Sequence, residues 1–155
     1  MVTILSTRGR APKELLGMAS GLGTEAVPGS LAIVFQWEGD ATLGYSGGAR
    51  AVHVPDDLRM TGWKVEAVDA AGLREDASVS FAVEARPEAG GALYSLVGGG
   101  TAPGLSAEPE AAANTLDWTG GLVERHGTLV VRPSGHTRGD SSLLSLTLFC
   151  VRAGG

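Results

Sequence analysis

The sequence predicts an all-β protein, an antiparallel jelly-roll-like β-sandwich with a short N-terminal arm. Three observations lead there. Apolar residues recur at a period of two, as in Leu31, Ile33, Phe35 and Trp37 set against Ala32, Val34 and Gln36, which is the signature of strands with two distinct faces. The 24 glycines and 7 prolines punctuate such segments at short intervals, as tight turns require. Charged residues are only 19% and aromatics 5% of a chain that is 43% hydrophobic, whereas the solvent side of a helical bundle would need many more Lys and Glu. Roughly eight or nine strands at this spacing make a sandwich or jelly roll, and without helical crossovers a parallel α/β sheet is excluded.

The chain of 155 residues is one domain with one sizeable core. The composition divides it into an arm, residues 1–28, and a sandwich, residues 29–155. The arm opens with a short apolar run, Val2 to Leu5, after which Pro12 suits the first position of a helix through KELLGMAS. Leu15, Leu16, Met18 and Ala19 give that helix an apolar side, and Gly21, Gly23 and Pro28 end it. A helix this short is marginal alone in water. It needs a surface, either its own domain or a neighbouring subunit; the punctuation GLGTEAVPG favours the neighbour and makes Leu15, Leu16 and Met18 the partner-attachment residues.

The first strand, from Leu31, reads as buried and breaks at Glu38-Gly39-Asp40. Ala41–Tyr45 and Ala49–Val54 are short strands around Ser46-Gly47-Gly48, and Pro55 with Asp56 and Asp57 makes a turn. Leu58–Val68 is longer, with Trp63, Val65 and Ala67 on one face, while Lys64 and Glu66 are expected to point to water or to a partner. Val79, Phe81 and Val83 define the next strand, stopped by RPEAGG. Ala92–Val97 is a short strand and Gly98–Pro109 the longest irregular loop; Thr115–Trp118 and Leu122–Val123 are strand fragments. Thr128–Arg132 closes at Pro133-Ser134-Gly135, and Leu143–Arg152 is the last strand, Leu144, Leu146, Leu148 and Cys150 sharing a face.

The chemistry-bearing residues exclude more than they suggest. A net charge of −5 forms no basic patch for a phosphate backbone, so nucleic acid is not an expected partner. No run of 18 apolar residues and no basic region followed by an apolar one is found, so the expectation is neither a membrane span nor a secretory leader, and assembly in a cytoplasm. The single Cys150 has no partner for an internal disulfide and reads as a buried core residue. Gly104-Leu105-Ser106-Ala107 lacks the closing glycine of a nucleophile elbow. The glycines at 98–100 lead into no Lys-Ser/Thr and fail as a phosphate loop. His53, His126 and His136 lack metal-ligand spacing. Asp56-Asp57 and Glu108/Glu110 lack the pattern of a calcium loop. No catalytic residue, metal or cofactor is therefore expected. Trp37, Trp63 and Trp118 read as core rather than as sugar-stacking platforms. Tyr45 and Tyr94, near turns, and Leu105, in the long loop, are the candidate surface contacts.

The order LAIVFQWEGDATLGYSGGARAVHVP, DLRMTGWKVEA, ASVSFAVEA, then TLDWTGGLVERHGTLVVRPSG and SSLLSLTLFCVR resembles a small β-sandwich domain of tailed-bacteriophage and gene-transfer-agent structural proteins, the fibre, spike and decoration proteins of head or tail. The resemblance spans about Leu31 to Arg152; His126-Gly127-Thr128 departs from that family's Gly-Asp turn. It implies a non-enzymatic virion component that attaches through the arm to capsid, portal or tail proteins, associates as a homo-oligomer, a trimer above others, and projects its sandwich. The tip would be built from Gly98–Pro109 and the turns near Gly47 and Gly135, facing the host surface. The rival reading makes that tip a carbohydrate-binding receptor-recognition module for a host surface glycan.

Overall fold

The computed structural model describes residues 2–6, 30–40, 44–45, 48–88, 90–120, 122–137 and 143–153. They form twelve strands: β1 Val2–Ser6, β2 Ser30–Asp40, β3 Gly44–Tyr45, β4 Arg50–His53, β5 Leu58–Val68, β6 Ala77–Arg86, β7 Tyr94–Ser95, β8 Gly104–Glu108, β9 Glu110–Ala113, β10 Leu122–Val123, β11 Thr128–Thr137 and β12 Leu143–Arg152. One sheet runs β1-β2-β12-β5, with β9 and β10 sharing the far edge of β5 and β3 at the end of β2. The other runs β4-β11-β6, with β7 and β8 sharing the far edge of β6. All these pairings are antiparallel. Because β4 to β5, β5 to β6, β8 to β9 and β11 to β12 pass from sheet to sheet, each sheet buries one face on the other. The protein is an antiparallel, jelly-roll-like β-sandwich.

The alternation read from the sequence sets the core. Leu31, Ile33, Phe35 and Trp37 of β2, Val79, Phe81 and Val83 of β6, and Leu144, Leu146, Leu148 and Cys150 of β12 are all buried in one cluster. Trp37 lies at its centre, 5.3 Å from Phe81 and 6.3 Å from Phe35 between ring centroids. Its Nε1 donates to Gly48 O at 2.6 Å, which satisfies the one polar atom of a fully buried indole. β5 needs one more device. Phe149 pairs with Gly62 but Cys150 with Met60, so Thr61 is an extra residue. That bulge reverses the parity of the strand and lets Leu58 and Met60 face the core together with Trp63, Val65 and Ala67.

Three expectations are corrected here. Lys64 does not point to water: it is 8% exposed, because β9 pairs alongside β5 and sets Glu110 3.4 Å from its ammonium. The stretch Gly98–Pro109 is not one irregular loop. Its second half is β8, and β9 follows, since Val79↔Leu105 and Lys64↔Ala112 pairings satisfy backbone groups that a buried loop would orphan. Thr115–Trp118, expected as a strand, pairs with none; a bend at 114–115 leads into residues without regular structure. Within the expected arm, Val2–Ser6 belongs to the sandwich as β1, paired from Val2↔Phe35 to Ser6↔Leu31. The expected helix with Leu15, Leu16 and Met18 lies outside the described residues.

Candidate functional site

The far edge of β5 carries a groove of about 440 Å³, lined by Trp63, Thr101, Ala112, Ala113, Thr115, Leu116 and Asp117. Two glycines make it. At Gly62 a Cβ would meet Ala113 O at 2.6 Å, so only glycine lets β9 pack this closely against the bulge. At Gly100 a Cβ would meet Asp117 O at 2.6 Å and its Oδ1 at 2.7 Å, so the 98–101 loop reaches the 114–118 bend only because that side chain is missing.

The two segments are then tied by polar contacts. Thr101 N donates to Asp117 Oδ1 at 2.8 Å and Thr101 Oγ1 to Oδ2 at 3.0 Å, while Trp118 Nε1 donates to Thr101 O at 2.8 Å. The backbone and hydroxyl bonds from Thr101 hold the Asp117 carboxyl below its ordinary range. It stays ionised at neutral pH, and a carboxylate with two oxygens keeps acceptor capacity beyond the two bonds from Thr101. The groove thus combines an apolar lining, Leu116 and two alanines with the 7% of Trp63 left exposed, with hydroxyls and one carboxylate.

The other charged clusters are spent internally. Glu110 Oε2 lies between Lys64 Nζ and Arg74 NH2, at 3.4 and 3.1 Å. Asp56 accepts from Arg125 NH2 at 2.8 Å and from Arg152 Nε at 2.9 Å, and Asp57 Oδ1 accepts from Arg125 N at 2.7 Å. These arginines join the β4–β5 turn to the β10–β11 turn and the end of β12. Among the described residues no group of three or more His, Cys, Asp or Glu converges as a metal site, and no helix is long and apolar enough to cross a membrane. His126 sits in a turn at φ +62°, its N–H donating to Val54 O at 2.9 Å.

The candidate contacts do not meet in one place. Leu105 is 5% exposed and packs in the core, because the alternation of β8 turns it inward; it is not a surface contact. Tyr94 is half-buried and its hydroxyl donates to Leu122 O at 2.9 Å; burial, then the charge of Glu124, raises its pKa. Tyr45 is placed in β3, and its side chain lies outside the described residues, as does Gly47; Gly135, expected at a turn, lies within β11. The expected tip is therefore not assembled by the described residues. The groove residues Thr101, Thr115 and Asp117 went unmarked in the sequence, where nothing in their spacing pairs two loops sixteen residues apart.

No family model matches this chain, and no curated protein does. Among solved structures it is similar to the N-terminal CBM22-1-CBM22-2 tandem domain of Paenibacillus barcinonensis Xyn10C, with 13% identity and a TM-score of 0.37 over 100% of this chain and 40% of that one. It is also similar to a CBM4 structure, with 13% identity and a TM-score of 0.29 over 78% of this chain and 79% of that one. A third is the Clostridium thermocellum xylanase Xyn10B CBM22-1-GH10 modules complexed with xylohexaose, with 9% identity and a TM-score of 0.30 over 99% and 25%. At these scores the likeness carries no functional meaning for this chain.

Proposed function

We propose that this chain is a non-catalytic β-sandwich binding module whose ligand is a neutral glycan held in the groove between the 98–101 loop and the 114–118 bend. The groove itself carries this reading. A saccharide offers an apolar C–H face and a rim of hydroxyls; the Trp63 margin and Leu116 suit the first, and Thr101, Thr115 and the Asp117 carboxylate suit the second. Its volume of about 440 Å³ suits one or two sugar rings. The net charge of −5 and the ionised Asp117 disfavour an anionic sugar. The test is a glycan array followed by calorimetric titration of the neutral oligosaccharides retained. Saturable binding that Thr115→Trp abolishes, with the melting transition kept, is expected. Binding that survives both Thr115→Trp and Asp117→Asn, or none to any glycan, sinks the proposal.

A second reading, a structural component of a phage-like particle, is supported by one observation. The described strands within 31–152, where the resemblance to virion β-sandwich proteins lies, form one antiparallel sandwich, which is the fold that resemblance implies. Mass spectrometry of purified particles tests it: stoichiometric copies of this chain support it, and its absence from intact particles ends it.

A further inference from the structure

The two polar residues that close the groove offer it acceptors and no donor. Thr101 spends its backbone N–H on Asp117 Oδ1 and its hydroxyl proton on Oδ2, and the indole N–H of Trp118 is spent on Thr101 O. Thr101 Oγ1 keeps its lone pairs, and a carboxylate has no proton to give. Thr101 and Asp117 both line the groove, and both are exposed. Oγ1 and Oδ2 therefore stand side by side as two acceptors 3.0 Å apart. Backbone bonds hold their segments in place. Gly98 N donates to Ser95 Oγ at 3.1 Å, Gly100 N to Val97 O at 3.0 Å and Gly120 N to Leu96 O at 3.1 Å, so both segments are pinned to the same stretch, 95–97. A pair of acceptors fixed in this way loses little order when a ligand binds.

We propose that the groove recognises a vicinal diol, one hydroxyl donating to the Asp117 carboxylate and its neighbour to Thr101 Oγ1. This rests on the glycan reading and narrows it. Adjacent hydroxyls of a pyranose ring are staggered, and when gauche their oxygens are spaced much as Oγ1 and Oδ2 are. Two parallel O–H···O bonds then form together, the one to the carboxylate being the stronger. The demand on the ligand is strict. Both hydroxyls must be present as donors, because an ether, an ester carbonyl or a fluorine in place of either sets an acceptor against an acceptor.

NMR titration with the methyl β-glycosides of glucose, galactose, mannose and xylose, and with their monodeoxyfluoro analogues, tests this. Fluorine is close in size to the hydroxyl it replaces but has no proton to donate. Fluorination is expected to weaken binding at least about tenfold at two neighbouring ring positions, and less than about twofold elsewhere. Thr101→Val removes Oγ1 and keeps the backbone bond to Asp117. In that variant, its melting transition intact, one of the two positions should become insensitive, and Thr101→Ser should restore it. Any other pattern of sensitivity, none included, overturns the diol and leaves glycan binding standing; so does a folded Thr101→Val protein that keeps both sensitive positions. The fluorinated series is read on the native chain, so the inference can fail even if no variant folds. If none of the four parent glycosides binds, the glycan reading falls, and this inference with it.

Discussion

Replacing Glu110 by alanine should cost far more than replacing the lysine it pairs with. The side chain of Lys64 is 9% exposed and that of Glu110 34%, so Glu110→Ala strands a buried ammonium without its anion. Removing one partner of a fully buried pair costs about 3–5 kcal/mol, and the partial exposure of Glu110 lowers this to about 2–3 kcal/mol. For a domain of this size that is a fall in Tm of about 5–10 °C. Lys64→Met leaves Glu110 with Arg74 at 3.1 Å and removes the desolvated charge, so its cost should stay within about 1 kcal/mol. The double variant should recover most of the loss of Glu110→Ala. Urea titration and thermal melts of the four proteins measure the cycle. If Lys64→Met destabilises as much as Glu110→Ala, or the double variant is no better than the single, the reasoning from an orphaned buried charge is wrong.

Further outcomes follow from other contacts. The arginine bonds that lower the pKa of Asp56 from 3.8 make its stabilisation full above that unfolded value and lost as pH falls through the lower folded one; Asp56→Asn should therefore lower Tm at pH 7 and flatten its decline below about pH 4 in a pH-dependent melt. Burial pushes the Cys150 thiol up to about 12, so at pH 8 a thiol reagent should react only at the rate of unfolding, and prompt labelling of the native chain would contradict its placement. Gly100→Ala drives a methyl group into Asp117 O and Oδ1; a loss of about 1–3 kcal/mol in denaturant, with weakened glycan binding, is expected. Leu105→Ala should cost about 2–5 kcal/mol as a core truncation, where a surface contact would cost almost nothing.

How far local pattern reaches is plain from β2, β6 and β12. Their period of two is a property of consecutive residues, and each placed its inward set as the alternation required, Trp37, Phe81 and Cys150 included. β5 shows the limit. Its alternation broke at Thr61, and only pairing with β12 showed that a bulge restores the core face. β8 and β9 were harder still, because Gly, Ser and Ala in GLSAEPEAAA carry little alternation of their own and become strands by pairing with β6 and β5.

Local alternation was enough for the class, antiparallel strands without helical crossovers, and for most of the core, because it needs no partner to be read. It also marked Cys150 as buried. Tertiary structure alone decided the burial of Lys64 and Leu105, the strand order of the two sheets, and the groove. Those depend on segments distant in sequence: Thr101 meets Asp117, and Lys64 meets Glu110, only when the far edges of β5 and β6 are closed by β9 and β8 through backbone hydrogen bonds whose donors and acceptors are the same in every residue.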